Sequence, residues 1–158
     1  MSLKINLASF EEKNEIYKAL IRYSNELKQF QENPTKEIAS EKYFDSYWTE
    51  SQRFPIVAYN EDELIGFCLL RSEENYYSIA EFHIKLKFRR LGYGTKLLNF
   101  TIEFCKKQGI HSSIIANSLV KNVIANDFWI ANGFIRLKEV VFENEKYYCN
   151  LKETSKIL

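Results

Sequence analysis

A strand, a glycine-containing loop and a helix follow one another in the middle of this chain, and this order restricts its fold. Residues 78–84 are typical of a strand, and the loop RRLGYGTK begins at Arg89. Apolar residues then recur at helical spacing until Gly109, a residue type that commonly ends helices. Because a strand that leads into an amphipathic helix is the first half of a crossover, the sequence predicts an α/β fold.

Hydrophobic periodicity places further elements on both sides of this unit. A helix is predicted over about 10–30, begun by a capping box of Ser9 and Glu12, and a second helix around 37–48 follows the break at 33–35. The other predicted elements are strands at 54–59, 64–70, 113–116, 134–142 and 147–151, and a helix at 123–132. With a leading strand, the order β-α-α-β-β-β-α-β-α-β-β predicts a mixed α/β sheet in which hairpins flank the crossover.

Composition limits the classes of protein to which this chain can belong. The 158 residues are predicted to form one domain, 1–158, and 22 basic against 21 acidic side chains leave no broad basic field for nucleic acid or an anionic membrane. No stretch approaches the roughly 20 apolar residues of a membrane span, so we expect a soluble cytoplasmic protein. Three separated cysteines are expected as buried free thiols, without a metal: Cys68, Cys105 and Cys149.

The loop before the central helix has the features of an anion site. The first turn of a helix carries unsatisfied N–H groups and the positive end of the helix dipole, and Gly92 and Gly94 let a bulky anion approach the backbone. Five basic residues and no acidic one lie from Lys85 to Lys96. The dinucleotide and Walker motifs are absent, since Leu97 stands where the former needs glycine. A plain tight turn with a solvated basic face is the alternative.

Three motifs together identify a family resemblance. Arg89-Arg90-Leu91-Gly92-Tyr93-Gly94 fits the pattern Arg/Gln-x-x-Gly-x-Gly/Ala, and here the chain resembles the GNAT superfamily of acetyl-CoA-dependent N-acetyltransferases. The stretch from Tyr47-Trp48 to Arg53-Phe54-Pro55, together with Glu81-Phe82, is similar to a poorly characterised branch of that superfamily. Glu81-Phe82-His83-Ile84 is similar to the fourth strand of that family. The stretch from Asn122 through Phe128-Trp129 to Gly133-Phe134 is similar to its second cofactor motif. The resemblance implies the GNAT acyl-CoA N-acyltransferase fold over nearly the whole chain.

The resemblance also implies acetyl-CoA as the co-substrate. Phe82, His83 and Ile84 would pair with its pantetheine arm, and the Ile84 N–H would polarise the thioester oxygen. Asn122 and Trp129 would contact the arm, although a helix cap and core packing also account for these two residues. Backbone N–H groups of the loop would hold the pyrophosphate of coenzyme A; the loop residues are Arg89, Arg90, Leu91, Gly92, Tyr93, Gly94 and Thr95.

The expected chemistry is direct attack of an amine on the thioester in a ternary complex. Strand alternation predicts Ile79, Glu81 and His83 on one face of the strand and Ala80, Phe82 and Ile84 on the other. A carboxylate in a central strand must be paired, hydrated or functional, so Glu81 is the candidate base and His83 a candidate relay. A Glu81 paired with an arginine and a His83 that only packs remain the alternatives.

One position departs from the family pattern. Many GNAT enzymes carry a tyrosine, thought to protonate the leaving thiolate, where this chain has Trp129, and an indole N–H is no usable acid. Tyr93, Tyr147, Tyr148 or a water is then left as the proton donor. The alternative function is a non-catalytic acyl-CoA-binding module.

The acceptor side is implied by the resemblance alone. The first two helices and the last hairpin would line it, and the expected acceptor is a small-molecule or peptide amine. The aromatic residues of the second helix also suit plain packing of that helix onto the sheet. The expected oligomeric state is a monomer or homodimer.

Overall fold

The computed structural model describes residues 3–34 and 40–154. The strands of this part are β1 Leu3–Leu7, β2 Arg53–Asn60, β3 Glu63–Ser72, β4 Tyr77–Ile84, β5 Ser113–Leu119, β6 Ile135–Phe142 and β7 Glu145–Glu153. They form one sheet in the spatial order β1-β2-β3-β4-β5-β7-β6, in which β4 and β5 are parallel and all other neighbours antiparallel. The predicted mixed α/β sheet and its element order are confirmed.

Four α-helices pack on this sheet within the described residues. They are α1 Lys13–Leu27, α2 Glu41–Thr49, α3 Tyr93–Gln108 and α4 Val123–Ala131. Three-residue 3-10 turns at Phe10–Glu12 and Lys28–Phe30 extend α1 at both ends, so the first predicted helix is confirmed. The Ser40 hydroxyl caps α2, whereas residues 37–39 of the second predicted helix, and Thr35 of the predicted break, lie outside the described residues.

The closing hairpin is tighter than predicted. Glu143 and Asn144 have φ values of 50° and 64°, and two consecutive left-handed residues are the signature of a type I′ turn. This turn has the backbone twist that two antiparallel strands need. The predicted connection over residues 143–146 is therefore reduced to two residues, and β7 begins at Glu145.

A β-bulge in β4 changes which side chains share a face. Leu70 pairs with Ile79 while its neighbour Leu69 pairs with Glu81, so Ala80 is an extra residue in β4. An extra residue reverses the alternation beyond it. The prediction that Ile79 shares a face with Glu81 and His83 is therefore wrong, because Ile79 packs under α3 and α4. Ala80, predicted on the opposite face, packs on the α1 and α2 side.

The two central parallel strands separate beyond this bulge. β4 pairs with β5 only over Tyr77–Ile79, after which β4 continues beside β3 and β5 continues beside β7. The remaining backbone groups on that edge of β4 have no neighbouring strand. The sheet therefore has an open, wedge-shaped gap at its centre.

Apolar residues are buried on both faces of the sheet. The cluster under α3 and α4 includes Ile56, Leu70, Leu97, Leu98, Ile114 and Trp129, and the cluster under α1 and α2 includes Ile16, Leu20, Phe44, Tyr47, Phe67 and Leu69. All three cysteines are buried and free, as predicted. The wedge lies between these two layers.

A buried carboxylate ties the closing hairpin to the segment that precedes α2. Glu145 is 2% exposed, and its two oxygens accept hydrogen bonds from the backbone N–H groups of Glu32 and Asn33, at 2.8 and 2.7 Å. Hydrogen bonds to an ionised acceptor are stronger than neutral ones. The Glu145 carboxylate therefore fixes the loop after α1 beside β7.

Removal of this carboxylate is expected to destabilise the fold. Glu145→Ala removes the acceptor of the Glu32 and Asn33 N–H groups and should lower the free energy of unfolding by about 2–4 kcal/mol, and Glu145→Gln by about half as much. Chemical denaturation measures both. Glu153→Ala, an exposed glutamate of the same strand, is the matched control. Equal effects of Glu145→Ala and Glu153→Ala would contradict this role.

Candidate active site

The open edge of β4 presents backbone donors to the wedge. The Lys85 N–H donates to the Ile65 carbonyl of β3 at 2.8 Å. Because successive residues of a strand point their N–H groups to alternate sides, those of Phe82 and Ile84 point away from β3. Gly66 of β3 allows this arrangement, since a Cβ there would collide with the His83 carbonyl oxygen. The strand can therefore accept an extended ligand along this edge.

The glycine loop follows directly and begins α3. Gly92 is the N-cap with φ 86°, and a Cβ on it would meet no atom within 4 Å. Glycine is therefore needed at position 92 because of its backbone conformation, and the space that a side chain would enter there is open. A Cβ on Gly94 would lie 3.0 Å from the Phe128 ring, so this second glycine permits close approach of α3 and α4. The first turn of a helix also carries N–H groups that have no acceptor within the helix.

Most side chains of the loop do not contribute to that surface. Tyr93 is buried in the core and packs edge-on against Phe88. The Thr95 hydroxyl donates to the Asn132 side chain at 3.1 Å, which ties the start of α3 to the end of α4. Arg90 and Leu91 are exposed. Any anion held at the loop would depend chiefly on backbone N–H groups.

Arg89 is turned toward α1 instead. Its Nη1 and Nη2 atoms donate to the two carboxylate oxygens of Glu26 at 2.7 and 2.9 Å, and its Nε donates to the Ile84 carbonyl at 2.7 Å. These Arg89 hydrogen bonds lower the pKa of Glu26. A bidentate pair of this kind fixes geometry as well as charge. Arg89 thus holds α1 against the end of β4.

Glu81 lies beside the wedge on the α1 and α2 side. Burial raises the pKa of Glu81 to about 7, although a hydrogen bond from Tyr43 and the charge of Arg71 act in the opposite direction. The Tyr43 hydroxyl donates to Glu81 Oε2 at 3.3 Å and lies 3.1 Å from the Tyr47 hydroxyl. A carboxyl group that is half ionised at neutral pH is suited to accept and release a proton.

His83 is neutral at neutral pH. Burial and the charge of Arg89 lower its pKa to about 4. Arg89 Nη2 lies 3.4 Å from His83 Nδ1, and since a guanidinium only donates, the ring proton is assigned to Nε2. The imidazole packs between Tyr23 and Phe67, with centroids 5.1 and 5.7 Å away. The packing interpretation of His83 is confirmed, while a relay role stays a prediction.

Tyr23 of α1 is a site residue that the sequence reading missed. The Phe82 N–H donates to its phenol oxygen, and burial, followed by the charge of Glu81, raises the pKa of Tyr23. In the sequence it is one member of the apolar stripe of the first helix, so nothing distinguished it from core residues.

The three tyrosines proposed as proton donors have different positions. Tyr147 is partly buried on the Glu81 side, where burial, Glu145 and Glu81 raise its pKa. Tyr148 lies under the guanidinium of Arg136, 3.7 Å from its ring centroid. Tyr93 is a core residue, as described above.

Asn122 and Trp129 have clear structural roles. The Asn122 side chain caps α4 by accepting from the Ala125 N–H at 3.2 Å. Trp129 is buried among Phe82, Phe128 and Phe134, with ring centroids 5.0–5.3 Å away. The cap and packing interpretations are confirmed, and contact of these residues with a cofactor stays a prediction.

A buried polar cluster beneath α4 was also not predicted from the sequence. Ser118 of β5 donates to the Asn126 side chain of α4 and accepts from Asn150 of β7 at 3.1 Å. Single polar residues far apart in the sequence gave no signal of this contact. The cluster fixes α4 above the far wall of the wedge.

The described residues form neither a metal-binding group nor a membrane-spanning helix. Within residues 3–34 and 40–154, no three His, Cys, Asp or Glu side chains are grouped so as to hold a metal ion. In the same part of the chain, no helix combines the length and the apolar character that crossing a membrane requires.

Comparison with known proteins identifies the family. The model of the acetyltransferase (GNAT) family matches residues 15–134, which is most of the chain and includes both the glycine loop and the wedge. The chain belongs to the GNAT acetyltransferase family. The predicted resemblance is therefore confirmed.

Individual relatives match a shorter part of this chain than the family model does, or share low sequence identity with it. N-alpha-acetyltransferase 50 of Danio rerio is 36% identical over 61 residues, which cover 39% of this chain and 34% of that protein. The matched stretch thus spans about a third of the relative, so the activity of that whole protein is not assigned to this chain.

Solved structures share the fold at low identity. Ard1 of Thermoplasma volcanium has a TM-score of 0.79 at 16% identity, covering 99% of this chain and 100% of that one. Spermidine N-acetyltransferase of Vibrio cholerae, in complex with CoA and spermine, has a TM-score of 0.75 at 15% identity, covering 96% and 95%. At such identities the likeness establishes the fold alone.

The raised pKa of Glu81 predicts a pH-dependent stability. Its folded pKa of about 7 exceeds the ordinary 4.5, so the folded state binds more protons between these values and loses stability as pH rises through them. Glu81→Gln should therefore stabilise the protein at pH 8, by about 1–3 kcal/mol, and much less at pH 4.5. Denaturation at the two pH values measures this difference. A gain that is independent of pH would show that Glu81 is not strained by burial.

Proposed function

We propose that this chain is an N-acetyltransferase that moves an acetyl group from acetyl-CoA to a primary amine by direct attack in a ternary complex. The observation that carries the proposal is the position of Glu81. This carboxyl group, with its pKa near 7, lies beside the open edge of the strand that leads into the glycine loop. A proton acceptor, backbone donors and an anion site thus lie along one continuous segment.

The residues present fit acetyl-CoA. The backbone N–H groups of the first turn of α3 and the open space at Gly92 suit a pyrophosphate, and the edge of β4 beyond Ile79 suits the amides of a pantetheine arm. When bound, acetyl-CoA supplies a thioester carbonyl that an amine can attack. The family membership and the CoA in the Vibrio cholerae neighbour support this assignment.

The reaction needs few groups from the protein. Glu81 accepts a proton from the incoming ammonium, and the freed amine nitrogen bonds to the carbonyl carbon. The Ile84 N–H polarises the carbonyl oxygen. The carbon–sulfur bond then breaks, the nitrogen loses its second proton and the thiolate gains one, which leaves an amide and a free thiol. Tyr23 and Tyr147 retain their protons at neutral pH and lie near Glu81, so they are the phenols available for that step.

The acceptor is proposed to be a small-molecule or peptide amine. The name of the Danio rerio relative and the spermine bound to the Vibrio cholerae enzyme both concern amine acceptors, which supports this class. Buried free cysteines fit a reducing compartment and support a cytoplasmic location. A single domain over residues 1–158 and a monomer or homodimer stay predictions.

A non-catalytic acyl-CoA-binding module is the second candidate. It is favoured by Trp129, which is buried in the core where many relatives carry the proton-donating tyrosine. Such a module binds the cofactor and transfers nothing.

Cofactor binding is tested by thermal unfolding. Acetyl-CoA at a hundredfold excess over its Kd should stabilise the protein by about 2.7 kcal/mol, which raises Tm by about 5–10 °C. Gly92→Ala should reduce this shift. Gly109→Ala is the matched control, since Gly109 also ends a helix at positive φ, so both variants should lose about 1 kcal/mol of stability from backbone strain. The absence of a shift at millimolar acetyl-CoA would exclude both candidates.

Catalysis is tested by thiol release with a panel of amines. In the wild type, kcat/KM should rise about tenfold per pH unit below pH 7 and level off above it, because Glu81 must be ionised to accept the proton. Glu81→Gln should lower kcat by a factor of about 10²–10⁴ and remove that inflection. Unchanged turnover in the variant would remove Glu81 as the base. Cofactor binding without turnover on any amine would favour the binding module.

A further inference from the structure

Two arginines lie directly opposite each other on the acceptor side of the sheet. Arg53 of β2 pairs with Arg71 of β3, and both side chains are on the face covered by α2. Like charges placed directly opposite on adjacent strands are destabilising. The two guanidinium groups therefore need anionic neighbours, and without them this part of the sheet carries an excess of positive charge.

Arg53 is fully engaged by α2. Its guanidinium lies 5.8 and 5.2 Å from the ring centroids of Tyr43 and Tyr47 and donates to the Ser46 hydroxyl at 2.9 Å. Its Nε lies 3.4 Å from a carboxylate oxygen of Glu50, whose side chain is 58% exposed. Arg53 thus has a structural role, and solvent screens the charge of its partner.

Arg71 is less completely paired. Its Nε is buried and has no hydrogen-bond partner within the described residues, although Glu73 Oε2 lies 3.5 Å away. An unsatisfied buried donor on a charged group is costly. The Nη groups of Arg71, whose side chain is 30% exposed, form no hydrogen bond within the described residues, so they, rather than the buried Nε, are available to a further anion.

Glu81 does not neutralise Arg71. If it did, the pKa of Glu81 would fall below its ordinary value, whereas burial outweighs the charge of Arg71 and raises that pKa. The two groups are nevertheless close. Leu69 pairs with Glu81, and Arg71 follows Leu69 two residues later on the same face of β3. The hydroxyl of Tyr43 bonds to Glu81 within the same region.

We propose that Arg71 binds the carboxylate of the acceptor while Glu81 receives its ammonium group, so that the substrate is a small amino acid. This inference rests on the proposed function and adds a substrate class to it. The guanidinium of Arg71 gives a planar carboxylate two parallel N–H donors. The charge of Arg71 acts on Glu81, so the two groups are near enough to face one small molecule.

Matched pairs of acceptors test the proposal. Glycine, β-alanine and 4-aminobutyrate are each compared with their amides, which keep size and amine but lose the carboxylate. The wild type should prefer at least one acid over its amide by about tenfold or more in kcat/KM. The three chain lengths report the spacing between the two charged groups.

Variants of Arg71 assign the preference to this residue. Arg71→Gln should lower kcat/KM for the preferred acid by about tenfold to a hundredfold and change the amide less than threefold, and Arg71→Lys should retain part of the preference. Lys107→Gln, which removes an exposed cation in the last turn of α3, is the charge-matched control and should change neither.

The outcomes separate this inference from the proposed function. Turnover of amides and acids at equal rates, or an equal loss of both in Arg71→Gln, overturns the inference and leaves the acetyltransferase intact. If no panel amine turns over, calorimetric titration of the three amino acids into the CoA-loaded protein decides. Binding to the wild type that Arg71→Gln abolishes supports the inference, and no binding overturns it. Failure of acetyl-CoA itself to bind would instead contradict the proposed function.

Discussion

The interruption of one hydrogen-bond ladder governs the rest of this structure. β4 and β5 are paired only over Tyr77–Ile79, and beyond the bulge at Ala80 they separate. A backbone edge inside a sheet is costly to leave without partners, because each N–H and C=O group forgoes a hydrogen bond. The same edge is what an extended ligand with its own amides requires. The unpaired segment also carries Glu81, and the bulge turns this residue toward α1 and α2.

Electrostatic groups around the wedge are held in different states by burial and pairing. Burial raises the pKa of Glu81 by more than the Tyr43 hydrogen bond and the charge of Arg71 lower it, whereas the bidentate pair with Arg89 lowers the pKa of Glu26. The charge of Arg89 also keeps His83 neutral. Two carboxylates near one strand thus differ in proton affinity because one is paired and the other is not. This difference is the physical basis for assigning proton transfer to Glu81.

Much of this arrangement is readable from the sequence because it depends on local patterns. The glycine loop, its helix and the Gly109 end follow from residues close together in the chain, as does the capping of α4 by Asn122. Glu81 is also identified as a candidate from the sequence, since a carboxylate within an apolar strand must be paired, hydrated or functional. The face of Ile79 was predicted wrongly because a β-bulge cannot be recognised from the alternation of apolar and polar side chains. Tyr23 was not predicted as a site residue because a tyrosine within the apolar stripe of a helix has the same pattern as a core residue.

The sequence by itself determined the order of elements, the mixed sheet and the family resemblance, all of which depend on periodicity and on short motifs. Only the tertiary structure decided which groups meet at the wedge. Arg89 binds Glu26 of α1, Tyr43 of α2 reaches Glu81, and Arg71 of β3 lies opposite Arg53 of β2. These contacts join residues that are as many as 63 positions apart, and their strength depends on burial and distance. Neither quantity is contained in local residue spacing.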